Sequence, residues 1–351
     1  MIDVPIMRKS PLLSILLWLL LLEGCENRPE YEIPEFRKEI RADVHIINTL
    51  DDFAKKVAEC GEYLLVLERD PFSLTHFHVY DKKNGQKFGD YINEGRGPCE
   101  GILFSLLCVD GAEVVLVETI LKKTLSFSID SLLQNGLSSV SERPYTAPPF
   151  SMWNYIIEGL QVSLGHQSYL EHDTANDIRI MVNKDGTVST YNDYPVHSAA
   201  DRWEVYRHRP LLTVSPDKKR LAVASSIGAI LETFDIKSGI TNIATRKYIK
   251  PDYHWQDNIY KGYNDNTICC FTDITSSNGY IYTTWQDVPD KNCLFRAPDR
   301  IAVFDWKGSP VALIRIDNFG IVRFCVNEGQ KTIYANLKDR EGNNYLAQIT
   351  W

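Results

Sequence analysis

The stretch Val79–Glu118, VYDKKNGQKFGDYINEGRGPCEGILFSLLCVDGAEVVLVE, sets the pattern for the whole chain. Two short apolar runs flank the turn Lys83-Asn84-Gly85. A glycine-rich connector, Gly95-Arg96-Gly97-Pro98, follows. Two further apolar runs then flank Asp110-Gly111. Short β-prone runs separated by Asn-Gly or Asp-Gly read as hairpins, because those turns need positive φ and glycine supplies it.

Outward from this stretch the pattern recurs. An aromatic residue, Asp, then Lys and Gly mark Tyr80–Gly85, Phe234–Gly239 and Phe304–Gly308. Degenerate copies occur at Phe127-Ser128-Ile129-Asp130 and at Val182–Gly186. Each copy reads as a strand end entering a turn, where Asp bonds its own backbone. The copies lie roughly fifty residues apart, with one longer gap, and an all-strand repeat of that period marks a β-propeller blade. Sorting the runs into fours gives five complete blades between Ala54 and Ile316, with blade three the least regular. Blade two takes Leu137–Ser141 as a weak fourth strand, and blade five takes Ile268–Ile274 as its first. The tail offers only Ile321–Val326, Thr332–Leu337 and Tyr345–Trp351. The spare run Asp43–Ile47 supplies the missing outer strand. The expected fold is therefore all-β: a six-bladed propeller of four-stranded antiparallel blades over 43–351, closed by an N-terminal strand in the last blade.

The chain of 351 residues is 44% hydrophobic and 24% charged, enough for a sizeable core. Its net charge of −8 argues against nucleic acid as a partner, since phosphate neutralisation needs a basic face. A monomer is expected. Residues 1–24 read as a targeting segment, with Arg8 and Lys9 preceding an apolar run, Leu12–Leu22, too short to span a bilayer. Leu22-Glu23-Gly24-Cys25 resembles the lipobox of bacterial lipoproteins. That resemblance implies cleavage before Cys25, acylation of Cys25 and an outer-membrane lipoprotein facing the periplasm or the cell surface. The polar, proline-containing segment 25–42 reads as anchor and tether. The seven other cysteines show no CxxC spacing and read as small buried hydrophobes.

Glu94-Gly95-Arg96-Gly97-Pro98-Cys99-Glu100 resembles the interblade G-x-G-x-G-E-F segment of NHL and TolB-like propellers, with Cys99 for a glycine and Gly101 for an aromatic. Val214-Ser215-Pro216-Asp217-Lys218 resembles the S-P-D-G turn of TolB-like blades, with Lys218 for glycine. The resemblance implies the fold, particularly in its lipoprotein versions from gut Bacteroidetes. It says little about function.

No GxSxG, HExxH or CxxC motif is present, so no catalytic residue, metal or cofactor is assigned. His76 and His78 share one strand face but lack a third ligand. In an antiparallel blade successive connections alternate between two faces. Here one class is short (Gly61-Glu62, Asp110-Gly111, Asp217-Lys218, Asn278-Gly279) and the other runs to twenty residues, as in 248–267. Function usually sits on loops held by a rigid scaffold, so the long-connection face is the expected binding face. Its candidate ligand-binding residues are Arg96, Trp153, His172, Arg202, Trp203, Arg207, Tyr253, Trp255 and Arg296. Aromatics there suit sugar stacking, and the basic run Arg202–Arg209 suits an anion. The leading expectation is a lipid-anchored binding or scaffold protein for a glycan, peptide or partner protein. The alternative is a polysaccharide hydrolase or lyase, since propeller glycosidases draw their carboxylates from separate blades.

Overall fold

The computed structural model describes residues 30–50, 54–68, 75–146, 153–165, 178–196, 210–252, 254–256, 259–262, 266–289 and 297–351. Two strands open the chain, β1 (Glu39–Arg41) and β2 (Asp43–Leu50). Blade one holds β3 (Ala54–Cys60), β4 (Tyr63–Glu68), β5 (Thr75–Asp81) and β6 (Lys87–Asn93). Blade two holds β7 (Phe104–Asp110), β8 (Glu113–Glu118), β9 (Lys123–Ser128) and β10 (Ser141–Pro144). Blade three holds β11 (Trp153–Ile157), β12 (Leu160–Leu164), β13 (Ile180–Lys184) and β14 (Thr187–Tyr191). Blade four holds β15 (Leu211–Val214), β16 (Arg220–Ala224), β17 (Ala229–Asp235) and β18 (Thr241–Ile249). A hairpin of β19 (His254–Gln256) and β20 (Ile259–Gly262) lies between blades four and five. Blade five holds β21 (Ile274–Ser276), β22 (Tyr280–Thr284), β23 (Arg300–Asp305) and β24 (Pro310–Arg315). Blade six holds β25 (Gly320–Asn327), β26 (Thr332–Lys338), β27 (Asn344–Thr350) and, returning from the other chain end, β2.

The six sheets form a ring in which each innermost strand meets the next, β3 to β7 to β11 to β15 to β21 to β25 and back to β3. Each sheet buries apolar residues on both faces, so the core lies between blades. Leu65, Phe77, Leu116 and Phe127 fill the gap between blades one and two. Val162, Val182, Leu221 and Phe234 fill that between three and four. Ile301, Ile314, Phe324 and Ile333 join five to six, and Val57, Leu64, Tyr334 and Leu346 join six to one.

Closure follows the sequence expectation. β2 runs antiparallel to β27, with Asp43 opposite Thr350, Val44 opposite Ile349 and Ile46 opposite Ala347. A bulge between Ile46 and Asn48 lets the strand go on to Leu50, which is buried. The closing strand is also fastened to blade one. Asn48 Nδ2 donates to the Gly85 carbonyl at 2.8 Å. A Cβ at Gly85 would come within 2.5 Å of the Ile47 carbonyl, so glycine is needed there for the close approach as well as for its φ of +70°.

The repeated aspartates act as their spacing predicts. Asp81 Oδ1 accepts from the Lys83 and Asn84 amides, Asp235 from Lys237, and Asp305 from Lys307 and Ser309. The degenerate copy at Phe127–Asp130 does not make a turn. Ser128 instead caps a helix, α1 (Ile129–Asn135), its hydroxyl accepting from the Ser131 amide at 3.2 Å, with Asp130 in the first turn. A 3-10 turn at Gly136–Ser139 follows, so the outer strand of blade two starts at Ser141 rather than Leu137. Blade five's inner strand likewise begins at Ile274 rather than Ile268. Asp273 and Thr272 before it are engaged by Thr284 Oγ1, which accepts from both their amides.

The N-terminal segment departs furthest from expectation. From Glu30 onward the residues read as a tether are docked on the ring. The Glu32 amide donates to the Lys247 carbonyl at 2.7 Å. Phe36 packs edge-on against Trp285 and Phe304, with centroids at 5.4 and 5.8 Å. β1 pairs in parallel with β24, making blade five a five-stranded sheet.

Candidate functional site

The free edges of the six inner strands surround the propeller axis. Three of these strands carry a register shift at the end where the chain enters each blade: Ala54/Lys56 in β3, Phe104/Leu106 in β7 and Ile321/Arg323 in β25. A bulge re-aims the side chains beside it, and bulges concentrate at rims and functional sites. Here they free two cations from strict alternation. Lys56 Nζ lies 3.1 Å from Asp273 Oδ1 and 3.3 Å from the Ile274 carbonyl, a contact from blade one to blade five. The other Asp273 oxygen accepts from the Phe324 amide at 2.9 Å.

Arg323 completes the cluster. Its Nε donates to the Lys55 carbonyl at 2.8 Å, and its Nη1 to the carbonyls of Val322 and Thr272 at 2.6 and 3.4 Å. These bonds join blade six to blades one and five. Among the described residues no carboxylate pairs with Arg323. Lys55 Nζ reaches the Phe104 carbonyl of blade two at 3.4 Å. The end of the axis where the chain enters each blade thus gathers Lys55, Lys56 and Arg323 around one carboxylate, Asp273. Lys56 and Asp273 pair with each other and are largely buried, whereas the Arg323 guanidinium is held by carbonyls, a pre-organised geometry that suits a carboxylate or phosphate.

The opposite face is sutured by polar contacts between neighbouring turns. Cys60 Sγ approaches the Gly111 carbonyl at 3.7 Å, and Lys218 joins Asp110 at 2.5 Å and the Glu158 carbonyl at 3.2 Å. The Asp217 amide donates to Asn278 Oδ1, and Asn327 Nδ2 to Glu59. Lys218, at φ +56°, occupies the place the glycine of an S-P-D-G turn would take and uses it to bridge blades two, three and four.

Of the residues chosen from sequence, Arg96 is exposed on the connector between blades one and two. That connector is folded on itself, with Glu100 accepting from the Gly97 amide and Lys123 Nζ donating to the Gly97 carbonyl. Trp153 is half-buried against the core shared by blades two, three and four. Neither has a hydrogen bond, ion pair or ring contact with the Lys56–Asp273–Arg323 group. Trp255 lies on β19, with only its backbone described, and Cys25, His172, Arg202, Trp203, Arg207, Tyr253 and Arg296 lie outside the described residues. His78 is buried between two carboxylates, with Nδ1 2.5 Å from Asp90 and Nε2 3.0 Å from Glu68. Its ring nitrogens point to opposite sides, as a bridge within blade one requires. Among the described residues no His, Cys, Asp and Glu side chains form a metal-holding group.

Sequence reading missed Lys56, Asp273 and Arg323. The available signal was a charged residue interrupting an apolar inner strand, as in Ala54-Lys55-Lys56-Val57 and Val322-Arg323-Phe324. The described cysteines are free, and burial pushes the thiols of Cys108 and Cys325 up to about 12, so they stay protonated and inert at neutral pH.

Among curated proteins none matches this chain. In solved structures it is similar to a Bacteroides fragilis protein described as exported, at 14% identity and a TM-score of 0.51 over 91% of this chain and 99% of that one. It is also similar to a member of the DUF4221 family from Bacteroides vulgatus, at 11% identity and a TM-score of 0.54 over 88% of this chain and 98% of that one. At these identities the likeness speaks for the fold. The model of the TolB-like six-bladed propeller matches residues 56–329, from the first inner strand into blade six, and the chain belongs to that family.

Proposed function

We propose that the protein is an exported, lipid-anchored binding or scaffold protein of the outer membrane that engages a glycan, peptide or partner protein at the long-connection mouth of its channel. The observation that carries this reading is the placement of Lys56, Arg323 and Asp273 at that mouth. One face of the ring is tied shut by turn-to-turn contacts, while the other gathers cations and the long connections. Lys55, Lys56 and Arg323 outnumber Asp273 in this group, on a chain of net charge −8, which favours an anionic group on the ligand. Export is supported by the Leu22–Cys25 lipobox and by the description of the Bacteroides fragilis neighbour. A glycan and peptide array probed with the chain from residue 26 onward, with parallel turnover assays on acidic polysaccharides, tests it. Retained ligands without turnover support it. Turnover favours the hydrolase or lyase alternative, whose pair of carboxylates would have to include a residue other than Asp273.

Two substitutions check its parts. Cys25→Ser is expected to abolish incorporation of a fatty-acid probe and release the protein from membranes, and unchanged labelling contradicts the anchor. Replacing Arg207 and Trp255 with Ala is expected to weaken any array ligand about tenfold with a melting temperature within about 2 °C, since loop residues carry little stability. A large drop in melting temperature would show these residues to be structural instead.

A further inference from the structure

We infer that the anchored propeller lies with the outer rim of blade four against the membrane, its two faces standing clear of the lipid. This rests on acylation of Cys25 as proposed above and adds an orientation to it. The docked N-terminal segment sets where the anchor can reach. Between Glu30 and Arg41 it is held at successive points on blades four and five. Lys247 Nζ lies 3.2 Å from Glu30 and 5.9 Å from the Tyr31 ring centroid, and Arg246 lies 3.3 Å from Glu32. Exposed pairs of this kind add little. The stronger holds are the backbone bond from Glu32 to Lys247, the Phe36 ring among Trp285 and Phe304, and the β1 ladder, where the Leu313 amide also donates to the Lys38 carbonyl at 3.0 Å.

The chain length then sets the geometry. Were the whole segment from Cys25 to Ala42 a free tether, it would reach about 60 Å and the propeller could turn in any direction. With docking complete from Glu30, five residues remain and span at most about 18 Å. The acylated end is therefore held close to β18, the outer strand of blade four, and the opposite rim at blade one is held away from the lipid.

The surface beside the docking point suits an interface with phospholipid. Ile33 is 89% exposed beside the Lys247 contact, and Ile243 is 41% exposed on β18. Single exposed apolar residues are common and need no partner. These two lie near the point where the anchor arrives, and among the described residues the exposed cations Arg37, Lys38 and Lys250 have no ion-pair partner, against one exposed carboxylate in the same state, Glu35. Apolar side chains with unpaired cations are the composition that settles at an anionic headgroup surface.

The test uses the acylated full chain in vesicles of phosphatidylethanolamine and phosphatidylglycerol. A nitroxide is attached at Ile243→Cys on blade four or at Phe88→Cys on the outer strand of blade one, with labelling of the unsubstituted chain as background. Flotation reports anchoring, and relaxation by a lipid-bound nickel chelate reports distance from the surface. Flotation with relaxation at least fivefold stronger at 243 than at 88 is expected. In a chain carrying Phe36→Ala and Ile40→Pro, which removes the ring contact and breaks the β1 ladder, the two positions should approach one another while flotation persists, because the segment is loosened and the anchor is not. Flotation with equal relaxation at both positions in the parent chain overturns the orientation and leaves the anchor standing. Failure to float overturns the anchor and the orientation with it.

Discussion

A chain that starts at residue 51 is expected to lose at least 10 °C in melting temperature and to aggregate on warming. The truncation removes β2 and its whole ladder to β27, and with it β1 and Phe36 from blade five. It also strips Leu50, which is buried, and Val44 and Ile47, which pack against the cores on either side of blade six. Three consequences add. Apolar surface of blade six is opened at roughly 25 cal/mol per Å². The Asn48–Gly85 bond that fastens blade six to blade one is lost. The apolar strand β27, with Leu346, Ala347 and Ile349 buried, becomes an exposed edge that templates pairing with other chains. A single change separates packing from pairing: Leu50→Ala is expected to cost about 2–4 kcal/mol, read by denaturant unfolding, with the strand still in place.

The second large effect is expected at the boundary of blades three and four. Arg179 is fully buried and pairs with the buried carboxylate of Glu232, while donating also to the Asp193 carbonyl. Its guanidinium lies 5.7 and 5.2 Å from the ring centroids of Tyr191 and Tyr194. Burial pushes the Glu232 carboxyl up, and the charge and hydrogen bond of Arg179 hold it down. Arg179→Met removes the restraining charge and leaves the desolvation, so it is expected to cost about 3–5 kcal/mol near neutral pH. A carboxyl whose folded pKa stands above its unfolded value favours folding when protonated. The variant should therefore be least destabilised below about pH 4 and lose stability as pH rises through and beyond that value. Pairing the change with Glu232→Gln is expected to recover much of the loss, because no buried charge then lacks its partner. A double variant no more stable than Arg179→Met, or a single variant indifferent to pH, would contradict this account.

How far the sequence showed the fold depends on where the physics is local. The Asp–Gly turns at Tyr80–Gly85, Phe234–Gly239 and Phe304–Gly308 are short-range hydrogen-bonded devices, so their residues announce them, and the blade period follows from their spacing. Closure was legible because Asp43–Ile47 was a β-prone run without a partner and the tail was one strand short. Two local readings failed where a competing signal was stronger. Ser128 with Asp130 makes a helix start, and Thr284 ties down the residues before Ile274. The docked N-terminal segment was hidden for a different reason. Its polar, proline-containing residues read as linker, and Phe36, short backbone pairings and side-chain contacts to Arg246 and Lys247 bind it, through partners more than two hundred positions away.

The candidate site was less legible still. Lys56, Asp273 and Arg323 are far apart in sequence and meet only because six inner strands converge on one axis. Their position depends on bulges at Ala54/Lys56 and Ile321/Arg323, which no periodic pattern reveals. Of the aromatic and basic residues chosen on the long connections for their chemistry, Arg96 and Trp153 have described side chains, and they lie apart from the axis cluster.

The central claim is that the two chain ends close one ring, and that this ring holds the cationic mouth in place. Hydrogen exchange on the intact chain, read at the amides of 43–50 and 344–350, tests it most directly. The account predicts that both strands are protected and open together with the same free energy as the inner strand of blade six, so that one opening event exposes all three. Rapid exchange in 43–50 beside a protected 344–350 would contradict it, because β27 would then be an edge and the ring would close by some other pairing.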